Sequence, residues 1–294
     1  MDRLDKTGAG TTIGPIAERA TRLPIRITLL ANAGLLVEGA GFRLAVDALH
    51  EPQPGPFSGL PPETIAQIRQ DQANPLGQLD ALLFTHAHGD HFSASLTEQS
   101  LRQDPVGQLW LPRAALHQSV NLEAVARTQS QQLHVLGQAT HPTPQRAPLA
   151  RQPQPDSEGV DSPQGGASSI EAFRLTHAGK AYAAVEHYGF LITLGGRSLL
   201  FAGDGTAEPE AYESILAGRP LDLAVLNPLF ILLLAGRRLI QTVLKPRQIL
   251  INHIPFADED PEGLREQVRR DLERHGDHLP PALVLQDPWQ QATL

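Results

Sequence analysis

The sequence predicts an α/β sandwich in which mixed β-sheets are covered by helices. Short apolar runs separated by glycine turns occupy residues 25–47, a pattern typical of antiparallel strands. Further along, apolar runs of strand length alternate with segments of helical periodicity. This alternation favours sheets with helices on their faces, and we expect residues 23–294 to form one domain.

The composition excludes several classes of function. The chain has 294 residues, 41% of them hydrophobic, enough for one large or two small domains. A formal net charge of −8 disfavours a general nucleic-acid binder, which usually carries a basic surface. The absence of cysteine excludes disulfides, thiolate metal sites and cysteine nucleophiles, and it fits a cytoplasmic location. Residues 1–22 lack an apolar signal-peptide core and are expected to be flexible, and no apolar run is long enough to span a bilayer.

Short strands and helices are expected throughout the first half of the chain, interrupted by a polar loop at 85–91. Strands are expected at 25–29, 35–37, 42–46, 81–84, 108–112 and 132–136, and helices at 63–72, 96–103 and 113–128. Ser95 and Glu98 have capping-box spacing, which predicts the start of the second helix. The proline-rich segment 51–62 predicts a surface loop near the mouth of a site at the polar loop.

The second half continues the alternation after a segment of different composition. Residues 141–168 are rich in proline, glutamine and glycine, which predicts a long mobile loop rather than a domain boundary. Strands are expected at 170–176, 188–194, 197–202, 221–226, 248–252 and 282–286, and helices at 236–243 and 261–274. Gly195-Gly196 predicts a hairpin turn between two of these strands.

The strongest chemical signal is the loop THAHGDH at 85–91, directly after a buried strand. Four potential metal ligands lie within six positions: His86, His88, Asp90 and His91. One residue separates the first two histidines, so in an extended segment both imidazoles point the same way. Gly89 lets the chain turn and aim the last two side chains at a second point. Such a loop can serve two adjacent cations, although a cluster of satisfied polar residues at a strand end is the alternative.

Three more predicted strands end at potential ligands. His177 follows strand 170–176, Asp204 lies between glycines after strand 197–202, and His253 follows strand 248–252. A two-metal site needs about six or seven protein donors. The strand ends therefore offer enough donors for two ions. Nitrogen and carboxylate donors suit zinc first, then manganese or iron.

These segments resemble a known superfamily. THAHGDH resembles the H-x-H-x-D-H motif of the metallo-β-lactamase superfamily, FAGDG (201–205) its Gly-Asp signature, and INHIP (251–255) its final histidine strand. ITLLANAGLLVEGAGFRLAVD (27–47) resembles the opening strands of the branch that includes L-ascorbate-6-phosphate lactonase. The resemblance covers about residues 25–260 and implies an αββα sandwich with the metals at one edge.

The resemblance also implies a ligand set. One metal would be held by His86, His88 and His177, the other by Asp90, His91 and His253, with Asp204 as the bridge. His187 is the alternative to His177; we favour His177 because it ends a strand, whereas His187 begins one, and His187 would then support a ligand or face the substrate. Asp47 would support the metal loop, unless it is an ordinary strand-end turn residue. Solvated or capping roles are expected for the other histidines: His50, His117, His134, His141, His275 and His278.

The predicted function is metal-dependent hydrolysis. A hydroxide shared by two cations would attack an ester, lactone or phosphoester, and Asp90 would orient it and shuttle a proton. Lys180 and Arg237 could meet an anionic group of a small-molecule substrate, although both are more often surface charges. The following residues could line the pocket: Asn227, Tyr182, Tyr188 and Phe230.

Three alternatives stay open at this point. The same superfamily contains phosphodiesterases and nucleases, which the acidic charge disfavours. A non-catalytic metal-binding sensor would be expected to have lost ligands. Redox chemistry at a di-iron site is disfavoured because His88 stands where the family's di-iron oxygen reductases usually carry glutamate. A homo-oligomer is possible.

Overall fold

Two seven-stranded β-sheets packed face to face form the centre of the fold. The computed structural model describes residues 23–55, 57–70, 74–137, 144–151 and 167–294. Helices cover both outer faces, so the expected α/β sandwich of two mixed sheets flanked by helices is confirmed. None of the helices within the described ranges combines the length and apolarity needed to cross a membrane.

The first sheet contains mainly strands from the first half of the chain. Its strands are β1 (Ile25–Leu29), β2 (Leu35–Gly39), β3 (Phe42–Val46), β4 (Ala81–Leu83), β5 (Val106–Pro112), β6 (Ser130–Leu136) and, at one edge, β14 (Gln291–Thr293). Their spatial order is β14-β1-β2-β3-β4-β5-β6. The second sheet comprises β7 (Gln145–Pro148), β8 (Ser169–Leu175), β9 (His187–Leu194), β10 (Arg197–Phe201), β11 (Leu223–Leu226), β12 (Gln248–Ile251) and β13 (Ala282–Val284), in the order β13-β12-β11-β10-β9-β8-β7.

Three apolar layers hold these elements together. Between the sheets lie side chains such as Leu44, Trp110 and Phe190. The first sheet is covered by α1 (Pro62–Arg69), α2 (Ala94–Gln103), α3 (Arg113–Leu116) and α4 (Leu122–Gln129). The second is covered by α5 (Pro209–Leu216), α6 (Leu229–Leu232), α7 (Leu234–Leu239), a π-helical turn at Ile240–Leu244 and α8 (Leu264–His275). Burial of one face of each helix therefore fixes the sandwich.

Strand direction brings the polar strand ends to one edge. In the first sheet β3 and β4 are parallel neighbours, so residues 47 and 85 follow them at the same edge. In the second sheet β10, β11 and β12 are parallel, and β8 runs the same way because β9 is antiparallel to both β8 and β10. The candidate ligands that follow these strands therefore lie at one edge of the sandwich.

Several predicted boundaries differ from the structure. Helix α2 begins two residues earlier than expected, because the hydroxyl of Ser93, rather than Ser95, accepts from Leu96 N at 3.4 Å. The helix expected at 113–128 is two helices, and β14 was not anticipated. Within the loop expected at 141–168, residues 145–148 form β7, which pairs with β8. The expected flexible segment 1–22, most of the remaining 141–168 loop and His141 lie outside the described residues.

Candidate metal centre

Asp47 anchors the start of the metal loop. Its Oδ1 accepts from Thr85 N at 2.7 Å, and its Oδ2 accepts from Thr85 Oγ1 at 2.7 Å. Oδ2 also lies 3.0 Å from His91 Nδ1. This buried carboxylate ties both ends of the loop together and leaves His91 Nε2 to face the site, as an outer carboxylate does for a metal-bound histidine.

The loop itself closes as a tight turn. The backbone N–H groups of His91 and Phe92 both donate to His88 O, at 3.0 and 2.9 Å. Phe92 then packs edge-on against Phe84, with ring centroids 4.9 Å apart. Gly89 lies within this turn without a positive φ. A Cβ at position 89 would lie 2.9 Å from the end of the flexible Gln53 side chain, which can shift to make room.

Three histidines form the first group of donors. His86, His88 and His177 each offer a ring nitrogen within 4.8 Å of the others. His86 Nε2 and His88 Nδ1 are 3.0 Å apart. His177 Nδ1 donates to Ala178 O at 2.6 Å, which leaves its buried Nε2 without a hydrogen-bond partner. Buried polar atoms in proteins normally have a partner, so a buried ring nitrogen that faces two other imidazoles indicates a cation-binding site.

The second group combines carboxylates and imidazoles. Its members, again within 4.8 Å of one another, are Asp90, His91, Asp204 and His253. The Nε2 atoms of His91 and His253 are 3.0 Å apart, and Asp90 Oδ2 lies 3.3 Å from His253 Nε2. Asp204 joins the groups, since its Oδ2 lies 3.5 Å from both His91 Nε2 and His177 Nε2. The donor sets match the two sets that the resemblance implies.

The buried carboxylates of the cluster favour positive charge at the site. Burial alone would lower the pKa of His91, yet Asp204, Asp90 and Asp47 raise it well above its ordinary value. Burial alone would raise the pKa of Asp204, and His253 and His91 lower it well below its usual range. Buried carboxylates therefore attract positive charge to this point, as protons on histidines or as metal ions, and the donors fit divalent metals.

The Asp204 turn is built from the backbone and from His187. Gly203 has φ +52°, and a Cβ there would lie 2.9 Å from His187 Nε2. That nitrogen accepts from Asp204 N at 3.0 Å, so His187 supports the turn with the nitrogen that faces it. Burial lowers the pKa of His187 to about 3. The structure thus groups His177, and not His187, with the candidate ligands.

Asn227 supports the same turn from the neighbouring strand end. Its Nδ2 donates to Gly203 O at 2.8 Å, and its Oδ1 accepts from Leu229 N at 3.0 Å. Both polar atoms of this buried amide are therefore engaged with the backbone. The structure gives Asn227 a supporting position beside Asp204.

The turn between β1 and β2 of the first sheet contacts the end of β12 in the second sheet, where His253 lies. His253 N donates to Asn32 O, and Asn252 Nδ2 donates to Ala33 O at 3.1 Å. His253 has φ +59°, a conformation that costs energy for a residue with a side chain. The turn thus stabilises the strained conformation of a candidate ligand from the opposite sheet.

An aromatic residue stands at the open side of the first group. Tyr182 is 50% exposed, and its ring centroid lies 5.3 Å from that of His88 and 5.2 Å from that of His177. Lys180 is exposed on the same short turn. The proline-rich loop also reaches the site, as expected, because Phe57 packs edge-on against His253 at 6.3 Å.

Several predicted site residues lie elsewhere. Arg237 donates to the carbonyls of Ile231 and Leu232 within the α6–α7 corner, so the expectation that it meets an anionic group is wrong. Phe230 is buried in the outer apolar layer, and Tyr188 belongs to the layer between the sheets. Position in the sequence does not distinguish the faces of an element, so it does not show which aromatic rings face the site.

Two histidines expected to be solvated are not. His50 is fully buried just after β3, and burial lowers its pKa to about 3. His134 stacks on Trp110, with ring centroids 3.9 Å apart and planes at 15°. The position of His50, three residues after Asp47, is the sequence signal that could have placed it near the site.

A two-sheet sandwich with histidine and aspartate donors at one edge defines a metallo-β-lactamase fold. The chain belongs to this superfamily, since a sequence model of the beta-lactamase superfamily domain matches residues 43–231. That range includes the metal loop, His177 and Asp204. No curated protein matches the chain significantly.

Solved structures of low identity share the fold. The metallo-beta-lactamase fold protein YhfI from Bacillus subtilis is 13% identical, with a TM-score of 0.55 over 92% of this chain and 100% of its own. An isothiocyanate hydrolase from Delia radicum gut bacteria is 18% identical, with a TM-score of 0.53 over 92% of this chain and 98% of its own. CmlA, a diiron beta-hydroxylase from Streptomyces venezuelae, is 17% identical, with a TM-score of 0.55 over 92% of this chain. This chain spans 54% of the length of CmlA.

Proposed function

We propose that this protein is a dinuclear metal-dependent hydrolase that cleaves an ester, lactone or phosphoester bond in a small-molecule substrate. The observation that carries the proposal is the position of Asp204, whose Oδ2 lies 3.5 Å from a histidine nitrogen in each donor group. Such a carboxylate can bridge two ions. The donors are nitrogen and oxygen without thiolate, so zinc is the metal we assign first, with manganese or iron as alternatives.

The chain's own residues have distinct tasks in this proposal. One metal would be held by His86, His88 and His177, the other by Asp90, His91 and His253, with Asp204 shared. Bound divalent cations supply Lewis-acid activation of water and of the scissile group. Asp90 orients the attacking water and accepts its proton, because its Oδ2 lies among the donors of the second group. Asp47 fixes the ring of His91, and exposed Lys180 is available to an anionic group on the substrate.

The test joins metal analysis to an activity panel. Protein loaded with zinc is assayed on carboxylic esters, lactones, phosphodiesters and RNA. We expect two ions per chain, turnover of at least one small-molecule class, and a loss of about 10²–10⁴-fold in kcat for Asp90→Asn. Asp258→Asn, which changes an exposed carboxylate in a nearby turn, is the matched control.

Each other outcome points to an alternative. Two bound ions without turnover on the whole panel would favour a metal-binding sensor. Cleavage of RNA alone would favour a nuclease. Native iron with an optical charge-transfer band would favour redox chemistry.

A further inference from the structure

Exposed large apolar side chains concentrate at the metal-bearing edge. Within the described ranges seven such side chains are exposed: Leu23, Val120, Tyr182, Leu229, Leu233, Leu234 and Trp289. Tyr182 stands against two candidate ligands. Three others lie within six consecutive residues, and exposed apolar surface that is contiguous marks binding sites more often than scattered residues do.

We call the surface of Leu229, Leu233 and Leu234 the leucine rim. Leu233 N donates to Leu229 O at 3.0 Å, and Leu233, in an extended conformation, links α6 to α7. Leu234 follows directly as the first residue of α7. The three residues are 41%, 52% and 55% exposed, so three large apolar side chains within six residues are open to water.

The topology places the leucine rim beside the candidate metal centre. β11 lies between β10, which leads to Asp204, and β12, which leads to His253. The rim begins three residues after β11 ends, and Leu229 N donates to the same Asn227 whose Nδ2 holds Gly203 O. The leucine rim therefore begins beside the Asp204 turn, at a strand end that lies between those of two proposed ligands.

The composition and the small size of the leucine rim favour a small apolar ligand. The segment from Leu229 to Gly236 contains no charged residue, and the next one, Arg237, turns inward to backbone carbonyls. Three half-exposed leucines fall well short of the ~800 Å² per partner that a standard protein interface buries. A net charge of −8 disfavours an anionic membrane surface.

We propose that the leucine rim binds an alkyl or acyl chain of the substrate while the scissile group reaches the metal centre. This inference rests on the proposed function and narrows it to substrates that carry a hydrocarbon chain. Tyr182, half-exposed against His88 and His177, would meet the part of the substrate nearest the metals.

A direct binding measurement tests the inference without catalysis. Acetate and octanoate are titrated against the zinc-loaded protein by calorimetry, so that the shared carboxylate cancels in the comparison. We expect octanoate to bind at least ~10-fold more tightly than acetate, since burial of several methylenes favours the longer chain. The double variant Leu233→Ser/Leu234→Ser should lose most of this ratio and leave acetate binding unchanged.

The matched control is Val120→Ser, which removes a side chain that is 97% exposed in the α3–α4 connection. It should keep the full octanoate-to-acetate ratio. Leu229→Ser alone serves as a second variant if the double variant unfolds early in a thermal scan.

Four results would overturn the inference. The wild type could show no preference for octanoate, or the double variant could keep it. The double variant could instead change the sedimentation coefficient, which would make the rim a contact between copies. It could also abolish cosedimentation with phosphatidylcholine vesicles while the chain-length ratio stays at one, which would make the rim a membrane contact.

Failure of the proposed function gives a different pattern. In that case no ester of any chain length turns over, whereas the octanoate preference and its loss in the double variant persist. If hydrolysis occurs with equal kcat/KM for acetyl and octanoyl esters in both proteins, the hydrolase stands and the chain-binding rim does not.

Discussion

Asp204 is the residue on which the site converges. Its carboxylate reaches nitrogens of both donor groups, its N–H donates to His187, and its carbonyl accepts from Ala178 N at 2.7 Å. The turn requires a positive φ at Gly203 and no side chain there, because His187 and Thr85 occupy the space. The position of Asp204 thus sets the spacing between the two proposed ions. Of the two histidines near it, His177 belongs to a donor group and His187 accepts from the Asp204 N–H.

The two histidines near Asp204 give a test of the ligand assignment. We expect His177→Ala to lower the bound zinc from two ions to one per chain, because the first group keeps only two imidazoles. His187→Gln should keep both ions, since glutamine still offers an acceptor to Asp204 N. Zinc analysis after gel filtration measures both. The reverse result, full zinc in His177→Ala and loss in His187→Gln, would make His187 the ligand.

At the scale of elements, the contact between the β1–β2 turn and the end of β12 joins the sheets at the site. The backbone carbonyls of Asn32 and Ala33 hold the N–H of His253 and the amide of Asn252. The bond from Asn252 to Ala33 joins residues 219 positions apart in sequence. These two bonds stabilise the left-handed conformation at His253, which places its ring opposite His91.

Removal of the Asn252 amide should weaken both stability and metal binding. Asn252→Ala leaves the buried carbonyl of Ala33 without its partner, and we expect a loss of about 1–3 kcal/mol in the free energy of unfolding of the apoprotein. Zinc affinity should fall by about 10–100-fold, as it does when other supporting residues are lost. Gln241→Ala removes an exposed amide-to-carbonyl bond to His278 and is the matched control. Zinc affinity equal to wild type in Asn252→Ala would show that the turn does not position His253.

The sequence predicted elements best where an apolar run stops at a polar residue. His177, Asp204 and His253 each follow a buried strand, so their position at a strand end could be read from the sequence. The burial of His50 could not, because it depends on the proline-rich loop, where Leu60 N donates to His50 O. The partners of Arg237 could not be read from the sequence either, because they are backbone carbonyls of the α6–α7 corner, which no local pattern indicates. Contacts of this kind depend on tertiary structure, which periodicity does not encode.

At the scale of the whole molecule, the candidate site connects the two halves of the sandwich. Four proposed ligands follow β4 of the first sheet, and three follow strands of the second: His86, His88, Asp90 and His91 against His177, Asp204 and His253. The apolar layer between the sheets already joins them through residues such as Trp110 and Phe190, whose ring centroids lie 6.4 Å apart. The site adds a polar connection at one edge, where buried carboxylates and imidazoles would otherwise oppose folding.

Because both proposed ions have ligands from each sheet, metal removal should destabilise the entire domain rather than one loop. Each zinc ion at about 1,000-fold above its dissociation constant would stabilise the fold by about 4 kcal/mol, so chelation of both should lower Tm by about 20 °C. Differential scanning calorimetry with and without EDTA measures the shift. His253→Ala should show a smaller shift, because the second group loses a donor from the second sheet. His117→Ala changes the exposed residue that follows α3 and should respond as the wild type does. An unchanged Tm in EDTA, with zinc shown to be bound beforehand, would mean that the ions do not connect the sheets.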